Sequence, residues 1–276
     1  MKLSVIVTTY NRPDALKKVL DGLIHQTRRP DEIIIADDGS GEETAAMVAP
    51  YLARKDIRIL HVWQEDDGFR LSRSRNKAIL ASSGDYIVIM DGDCIPESRF
   101  IEDHEALAEE GCFFQGKRVL VNEPVEKTFV FRHIDSVTRL LWYALTGKIS
   151  NFHHIFRIGF FPSYRTTKLS GVRGCNTGFF RKDLFAVNGY NQEITGWGRE
   201  DSEIVIRLYN YGLKRKENPF RAICYHLWHP ENSRNNLHKN DEIMEDTRTV
   251  GGYTCRLGLE QLGNIRIAGN EKGCNT

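Results

Sequence analysis

The sequence predicts an α/β fold: a mostly parallel, Rossmann-like sheet flanked by helices on both faces. Three observations carry this. Short β-branched runs alternate with helix-period segments through roughly the first hundred residues. Polar turn clusters follow three of those runs. The 276 residues are 41% hydrophobic and 27% charged, the balance of a chain with a substantial core. Such a chain buries about three quarters of the surface its unfolded form exposes, without needing a disulfide or metal staple.

Residues 3–9 (LSVIVTT) form a short apolar run, read as a buried strand. Asn11 and Pro13 then signal a helix start, and Leu16, Val19, Leu20, Leu23 and Ile24 recur at helical spacing. Residues 32–36 (EIIIA) are a second strand, closed by the turn residues Asp37, Asp38, Gly39 and Ser40. A helix over 42–54, a strand over 57–63, a helix over 72–81 and a strand over 86–90 (YIVIM) follow, the last running into Asp91-Gly92-Asp93. In such sheets ligands bind at the carboxyl ends of the strands, which singles out residues 8–11, 37–40 and 91–94. The second half is less regular. It reads as an amphipathic stretch within 122–170, a return strand over 175–180, a helix over 200–211 and a strand over 221–227. A final helix over 241–262, interrupted near Gly251-Gly252, precedes a polar, loosely held tail after Gly263. There is no internal repeat and no low-complexity linker, so a single domain over 1–263 is expected, with 264–276 as the tail.

Composition excludes several classes. The net charge of +1 argues against a dedicated nucleic-acid binder, and no stretch approaches the roughly 18 apolar residues of a spanning helix. No signal peptide is read behind Met1-Lys2. The six cysteines contain no Cys-x-x-Cys pair, which suggests reduced thiols in a cytoplasmic protein.

Asp91-Gly92-Asp93 places two carboxylates on a turn after an apolar strand. That pattern suits a divalent cation, with Gly92 letting the backbone approach a ligand. A solvated turn fits the local pattern equally, and position at the ligand edge decides for the cation. Asp37-Asp38-Gly39-Ser40 reads as an ordinary turn on composition alone. Arg70, Arg73, Arg75 and Lys77 cluster at a helix start, a setting suited to phosphate or simply a solvated basic face. Gly196-Trp197-Gly198-Arg199-Glu200-Asp201 sets a flat apolar ring, suited to stacking on a sugar, in a flexible segment before two acids at a helix start. The positive helix end there keeps a carboxylate ionised, as a general base requires. His226 and His229 add nitrogen donors, and a mixed nitrogen and oxygen set leans toward Mn²⁺ over Mg²⁺.

Together these segments resemble family 2 glycosyltransferases of the GT-A fold over roughly residues 2–230. The resemblance rests on Val5-Ile6-Val7-Thr8-Thr9-Tyr10-Asn11, Asp37-Asp38-Gly39-Ser40, Arg75-Asn76-Lys77-Ala78, Gly84-Asp85 and Asp91-Gly92-Asp93. Gly196-Trp197-Gly198-Arg199-Glu200-Asp201 is similar to the Trp-Gly-x-Glu-Asp segment of β-1,4-galactosyltransferases and bacterial chondroitin-type polymerases. The resemblance implies a nucleotide-sugar half over 1–120 and an acceptor half over 121–263. It implies that Thr8, Tyr10 and Asn11 line the nucleotide pocket, that Asp38, with Asp37, bonds the base, and that Arg75 lies near the nucleotide. Asp91 contacts ribose or metal, and Asp93 with His229 and His226 holds Mn²⁺ or Mg²⁺. Asp201 is the base and Glu200 binds acceptor or donor sugar, two acidic roles that are hard to separate in some relatives. The implied reaction is an inverting transfer from a UDP-sugar, galactose or N-acetylgalactosamine favoured, to a glycan or lipid-linked acceptor in polysaccharide synthesis.

Rival readings are a sugar nucleotidyltransferase, whose Gly-rich loop and lysine are missing, and a dinucleotide oxidoreductase, whose Gly-x-Gly-x-x-Gly is missing. A non-catalytic nucleotide-sugar or glycan-binding module would not need Asp201. Residues 152–165 (FHHIFRIGFFPSYR) mix aromatic and basic side chains, so either peripheral membrane contact or a core-packed acceptor lid is expected there.

Overall fold

The computed structural model describes residues 1–230, 233–262 and 268–269. β1 (Leu3–Thr9) is buried along its whole length, because strands flank it on both sides and helices cover both faces. Alternate residues sort into two cores: Leu3, Val5 and Val7 join one, and Ile6 joins Ile34, Ile87 and Ile89 in the other. α1 (Pro13–Ile24) starts on Pro13, whose fixed φ suits a first turn, and buries Leu16, Val19, Leu20 and Leu23. β2 (Glu32–Asp37), α2 (Glu42–Leu52), β3 (Arg58–Trp63), α3 (Leu71–Ala81) and β4 (Tyr86–Asp91) complete the first half. Strands β3, β2, β1 and β4 lie side by side, all parallel, as the alternating periods predict.

The second half threads back through this sheet. β5 (Cys94–Pro96), α4 (Phe100–Leu107), β6 (Cys112–Gln115) and β7 (Lys117–Val121) come first. The short helices α5 (Glu123–Glu126), α6 (Phe131–Ile134) and α7 (Val137–Leu145) follow, then β8 (Ile149–Ser150), a 3₁₀ turn at Phe152–Ile155 and β9 (Tyr164–Thr166). These break up the amphipathic stretch expected within 122–170. β10 (Asn176–Phe180), α8 (Arg181–Ala186), α9 (Glu200–Asn210), β11 (Lys214–Glu217), β12 (Ile223–Leu227), α10 (Leu237–Val250) and β13 (Ala268–Gly269) complete the chain. The main sheet runs β13-β3-β2-β1-β4-β10-β6-β11-β9, and β5-β12-β7-β8 form a second, smaller sheet. β10 enters antiparallel between β4 and β6, so the whole sheet is mixed although its first half is parallel.

Two expectations are corrected. The final helix covers Leu237–Val250 rather than 241–262, because Gly251 takes φ +72° and ends it, and residues 251–262 form turns. Of the expected loose tail, Ala268–Gly269 pairs antiparallel with β3, and its other residues lie outside the described ones. Five cysteines are free buried thiols, while Cys274 lies outside the described residues. Among the described residues, no helix is long and apolar enough to cross a membrane.

One buried ion pair braces the floor of the candidate site. On α9, Arg207 pairs with Glu203 (2.7 and 2.9 Å), and both are inaccessible to solvent. The same guanidinium donates to the carbonyls of Val187 and Gly189, fixing the turn that carries Tyr190. Asn76 then grips Tyr190 through both its backbone N–H (2.8 Å) and its carbonyl (2.7 Å). Removing one member of a buried pair leaves an uncompensated charge. Arg207→Met is therefore expected to lose about 3–5 kcal/mol of stability in urea unfolding, and pairing it with Glu203→Leu should recover part of that loss.

Candidate active site

The carboxyl ends of β1 and β4 meet in register, Thr8 opposite Asp91. The Thr8 hydroxyl donates to Asp91 Oδ1 (3.2 Å), and the Gly92 N–H donates to the Thr8 carbonyl (2.7 Å). A Cβ on Gly92 would overlap that carbonyl. The close approach that requires glycine here is to the chain's own β1. It turns Asp93 toward the end of β12, where the Leu227 N–H donates to the Asp93 carbonyl (2.8 Å).

β12 pairs antiparallel with β5, His226 opposite Cys94, which sets the residues after the strand beside Asp93. One ligand atom each from Asp93, His226 and His229 lies within 4.8 Å of the other two. The Nε2 atoms stand 3.6 Å (His226) and 3.4 Å (His229) from the Asp93 carboxylate. His229 Nδ1 contacts the Pro230 carbonyl (2.8 Å), which only accepts, so Nδ1 carries a proton and Nε2 is the ring nitrogen turned to Asp93. Burial lowers the His226 pKa, partly offset by the Asp93 charge, and keeps that ring neutral. Two imidazole nitrogens and a carboxylate oxygen this close together form a donor set that fits Mn²⁺ or Mg²⁺.

Arg12, which sequence reasoning missed, supplies part of that charge. Its Nη1 lies 2.6 Å from Asp93 Oδ2, while Nη2 lies 3.6 Å from Glu126 and 3.4 Å from the Trp228 carbonyl. Its only sequence signal was its place between Asn11 and Pro13, at the end of a ligand-edge strand.

Arg75 on α3 is 1% exposed and bridges the two halves of the site. Nη1 binds Asp201 Oδ1 (2.8 Å), Nη2 approaches Asp91 Oδ1 (3.3 Å), and the guanidinium lies 5.0 Å from the centre of the Tyr190 ring. It clamps two carboxylates from within. Asp201 Oδ2 accepts the Gly174 N–H (2.7 Å), so both of its oxygens have donors. Glu200 differs: its buried Oε2 has no hydrogen-bond partner. Desolvation and the neighbouring Asp201 charge push its pKa up to about 7. Asp91 is likewise pushed up to about 7, by desolvation against the pull of Arg75, with Cys175, Asp93 and Asp201 adding to the rise.

The Gly196–Arg199 segment is fixed rather than flexible. Gly196, Gly198 and Arg199 take φ values of +72°, +99° and +81°. The Gly196 N–H donates to the Phe69 carbonyl (2.9 Å), and Asn240 donates to the carbonyls of Thr195 and Gly198 (both 3.0 Å). Trp197 stays partly exposed, with the Arg234 guanidinium 5.3 Å from its ring centre.

On the far side, Asp37 and Asp38 are buried. Asp37 accepts from the Ser40 N–H (2.8 Å) and pairs with His61 (2.8 Å). Asp38 accepts from Gln64 (2.5 Å) and the Arg70 N–H (2.8 Å), and desolvation still raises its pKa to about 6. Tyr10 is exposed beside Asp66 (2.9 Å). Asn11, at φ +48°, joins the 37–41 turn through Ser40 (2.8 Å) and Gly41 (2.9 Å).

This sheet, with its acidic cleft at the carboxyl edge, is the GT-A architecture of glycosyltransferases. S. aureus TarS in complex with UDP superposes with a TM-score of 0.62 at 18% identity, covering 90% of this chain and 65% of that one. The mannosyltransferase PcManGT from Pyrobaculum calidifontis, in complex with GDP-Man and Mn²⁺, gives 0.55 at 19%, covering 82% and 56%. Residues 4–173 match the family model described as Glycosyl transferase family 2, and the chain belongs to that family. Residues 155–230 match a model described as N-terminal domain of galactosyltransferase. The hyaluronan synthase of Pasteurella multocida is 29% identical over 225 residues (76% of this chain, 23% of that protein). The chondroitin synthase of Escherichia coli is 29% identical over 224 residues (76% and 32%). The chain thus spans 23% and 32% of the length of these two relatives.

A Cβ on Gly174 would occupy the space of the Asp201 carboxylate. Gly174→Ala should therefore break a charge-assisted hydrogen bond and cost about 1.5–3 kcal/mol in thermal or urea unfolding. Gly171→Ala, at an open surface turn with φ +78°, should cost only about 1 kcal/mol.

Proposed function

We propose that this chain transfers a sugar from a UDP-sugar, galactose or N-acetylgalactosamine favoured, to a hydroxyl of a glycan or lipid-linked acceptor during polysaccharide synthesis, in a single inverting displacement. The observation that carries it is the Asp93–His226–His229 cluster standing beside the Arg75-bridged Asp91 and Asp201 at the carboxyl edge of the sheet. The family membership, the galactosyltransferase match over residues 155–230 and the two synthases support the sugar class.

Asp93, His226 and His229 would hold Mn²⁺ or Mg²⁺, which would supply positive charge against the departing diphosphate. Tyr10 offers an exposed ring to the uracil, and Thr8, Asn11 and the 37–41 turn frame the nucleotide. Asp38 reaches the base only with lone pairs left beyond Gln64 and the Arg70 N–H, so its part is directional rather than ionic. Trp197 presents its face to a sugar ring. Asp201, held by Arg75 and Gly174, points a fixed carboxylate into the cleft and takes the acceptor proton. Glu200 sits beside it, its unpartnered carboxyl oxygen available to the acceptor or donor sugar.

The test is UDP release from a panel of UDP-sugars, with and without Mn²⁺. One donor should be hydrolysed slowly in a Mn²⁺-dependent way and faster with a glycan acceptor. Asp93→Asn should weaken Mn²⁺ binding by about 100-fold or more in calorimetry. Asp201→Asn should lower turnover by about 10³-fold while leaving UDP/Mn²⁺ binding intact. No release from any donor, with UDP still bound, would favour a binding module.

A pH dependence follows from Glu200. Its carboxyl is protonated below about pH 7 and ionised above, so turnover should rise through about pH 7. Glu200→Gln should flatten that rise. If Glu200→Gln abolished transfer while Asp201→Asn kept it, the two acidic roles would be exchanged.

A further inference from the structure

α7 sits on the core with its apolar stripe turned outward. Leu140 is its one buried residue, and Tyr143 and Ala144 pack partly against the core. Val137, Leu141, Trp142 and Leu145 recur at i, i+4, i+5 and i+8 and are exposed, Leu145 at 84%. The 3₁₀ turn packed against α7 adds exposed Phe152, Phe156 follows it, and Phe160 further on is 91% exposed. A soluble surface rarely carries so many large apolar side chains together without a partner.

The charge around this stripe identifies that partner. Residues 127–173 hold eight Lys and Arg against one acid, Asp135. Two of the eight, Arg157 and Arg165, are paired with Asp103 and Glu109 from outside the segment. Lys127, Arg132 and Arg139 are exposed on and beside the helices that present the stripe. A second copy docking by two-fold symmetry would bring these cations against their own images, which repel. An anionic lipid surface meets both features, since acyl chains take the apolar stripe and headgroups take the cations. Trp142 carries the amphipathic ring that favours such an interface.

We propose that α7 and the 152–160 segment form a membrane-docking face that binds the surface of anionic bilayers without crossing them. The proposal is independent of the transfer chemistry. It applies to the whole basic, apolar surface rather than to one pocket.

Co-sedimentation of the full chain with vesicles tests it. Binding to phosphatidylcholine containing about 25% phosphatidylglycerol should exceed binding to phosphatidylcholine alone by about tenfold and should fall as salt rises. Trp142→Ser with Leu145→Ser should reduce binding by about tenfold. Arg132→Glu with Arg139→Glu should abolish the preference for anionic vesicles while leaving the apolar stripe in place. Each variant is first shown to keep the parent's melting temperature and its thermal shift with UDP and Mn²⁺, so a lost fold is not read as lost docking. Equal binding to both vesicle types, no binding to either, or unchanged binding by both folded double variants would overturn the proposal. So would a dimer in light scattering that Leu145→Asp converts to a monomer, since the stripe would then belong to a second copy.

Discussion

The buried guanidinium of Arg75 is the interaction on which the site depends. It comes from the third helix of the parallel half, yet it binds Asp91 at the end of β4 and Asp201 at the start of α9. Four carboxyl groups (Asp91, Asp93, Glu200 and Asp201) stand in one cleft, and like charges in a poorly hydrated space repel strongly. Arg75 offsets Asp91 and Asp201, while Arg12 pairs with Asp93 and Glu126. Gly174 and Thr8 hold oxygens of Asp201 and Asp91, and the Gly92 N–H fixes the turn between Asp91 and Asp93. The backbone geometry thus fixes where the acidic groups of the cleft stand.

The parallel half of the fold was legible in the sequence because its signals are local. A strand buried on both faces must be a run of β-branched residues, and a helix covering it must repeat every three or four positions; residues 3–91 obey both rules. The second half obeys neither. β11 reads Lys-Arg-Lys-Glu, yet Arg215, Lys216 and Glu217 are buried, paired with one another's neighbours and with Glu109, Lys117 and Tyr164. No hydropathy pattern announces such a strand. β9 is three residues long and polar, and β10 gains its place only by meeting β4 and β6 from distant parts of the chain.

The candidate site shows the same division. Asp91, Asp93, Glu200, Asp201, His226 and His229 were visible as chemistry-bearing side chains after strands or at a helix start, and the structure brings them to one edge. What spacing could not supply was their pairing. Arg75 looked like one of four cations on a basic helix, and only the packing of α3 under Tyr190 turns it inward. Gly174 carried no signal, since its requirement comes from a carboxylate 27 residues away. Gly92 was noticed for a sound reason, a close backbone approach, but the approaching group is the chain itself.

The cation cluster also bears on how the molecule assembles. Arg12, Asp93, His226 and His229 come from the first helix boundary, the end of the parallel half and the last strand of the small sheet. Asp93 and His229 meet only once β12 has paired with β5 and β7, contacts of long sequence separation whose loop-closure entropy makes them slow to form. A nascent or partly folded chain that has completed only the parallel half therefore carries the acidic turn without the histidines. The three donors come together only with the last long-range contacts, so their juxtaposition reports on completed folding rather than on the presence of a stable sheet.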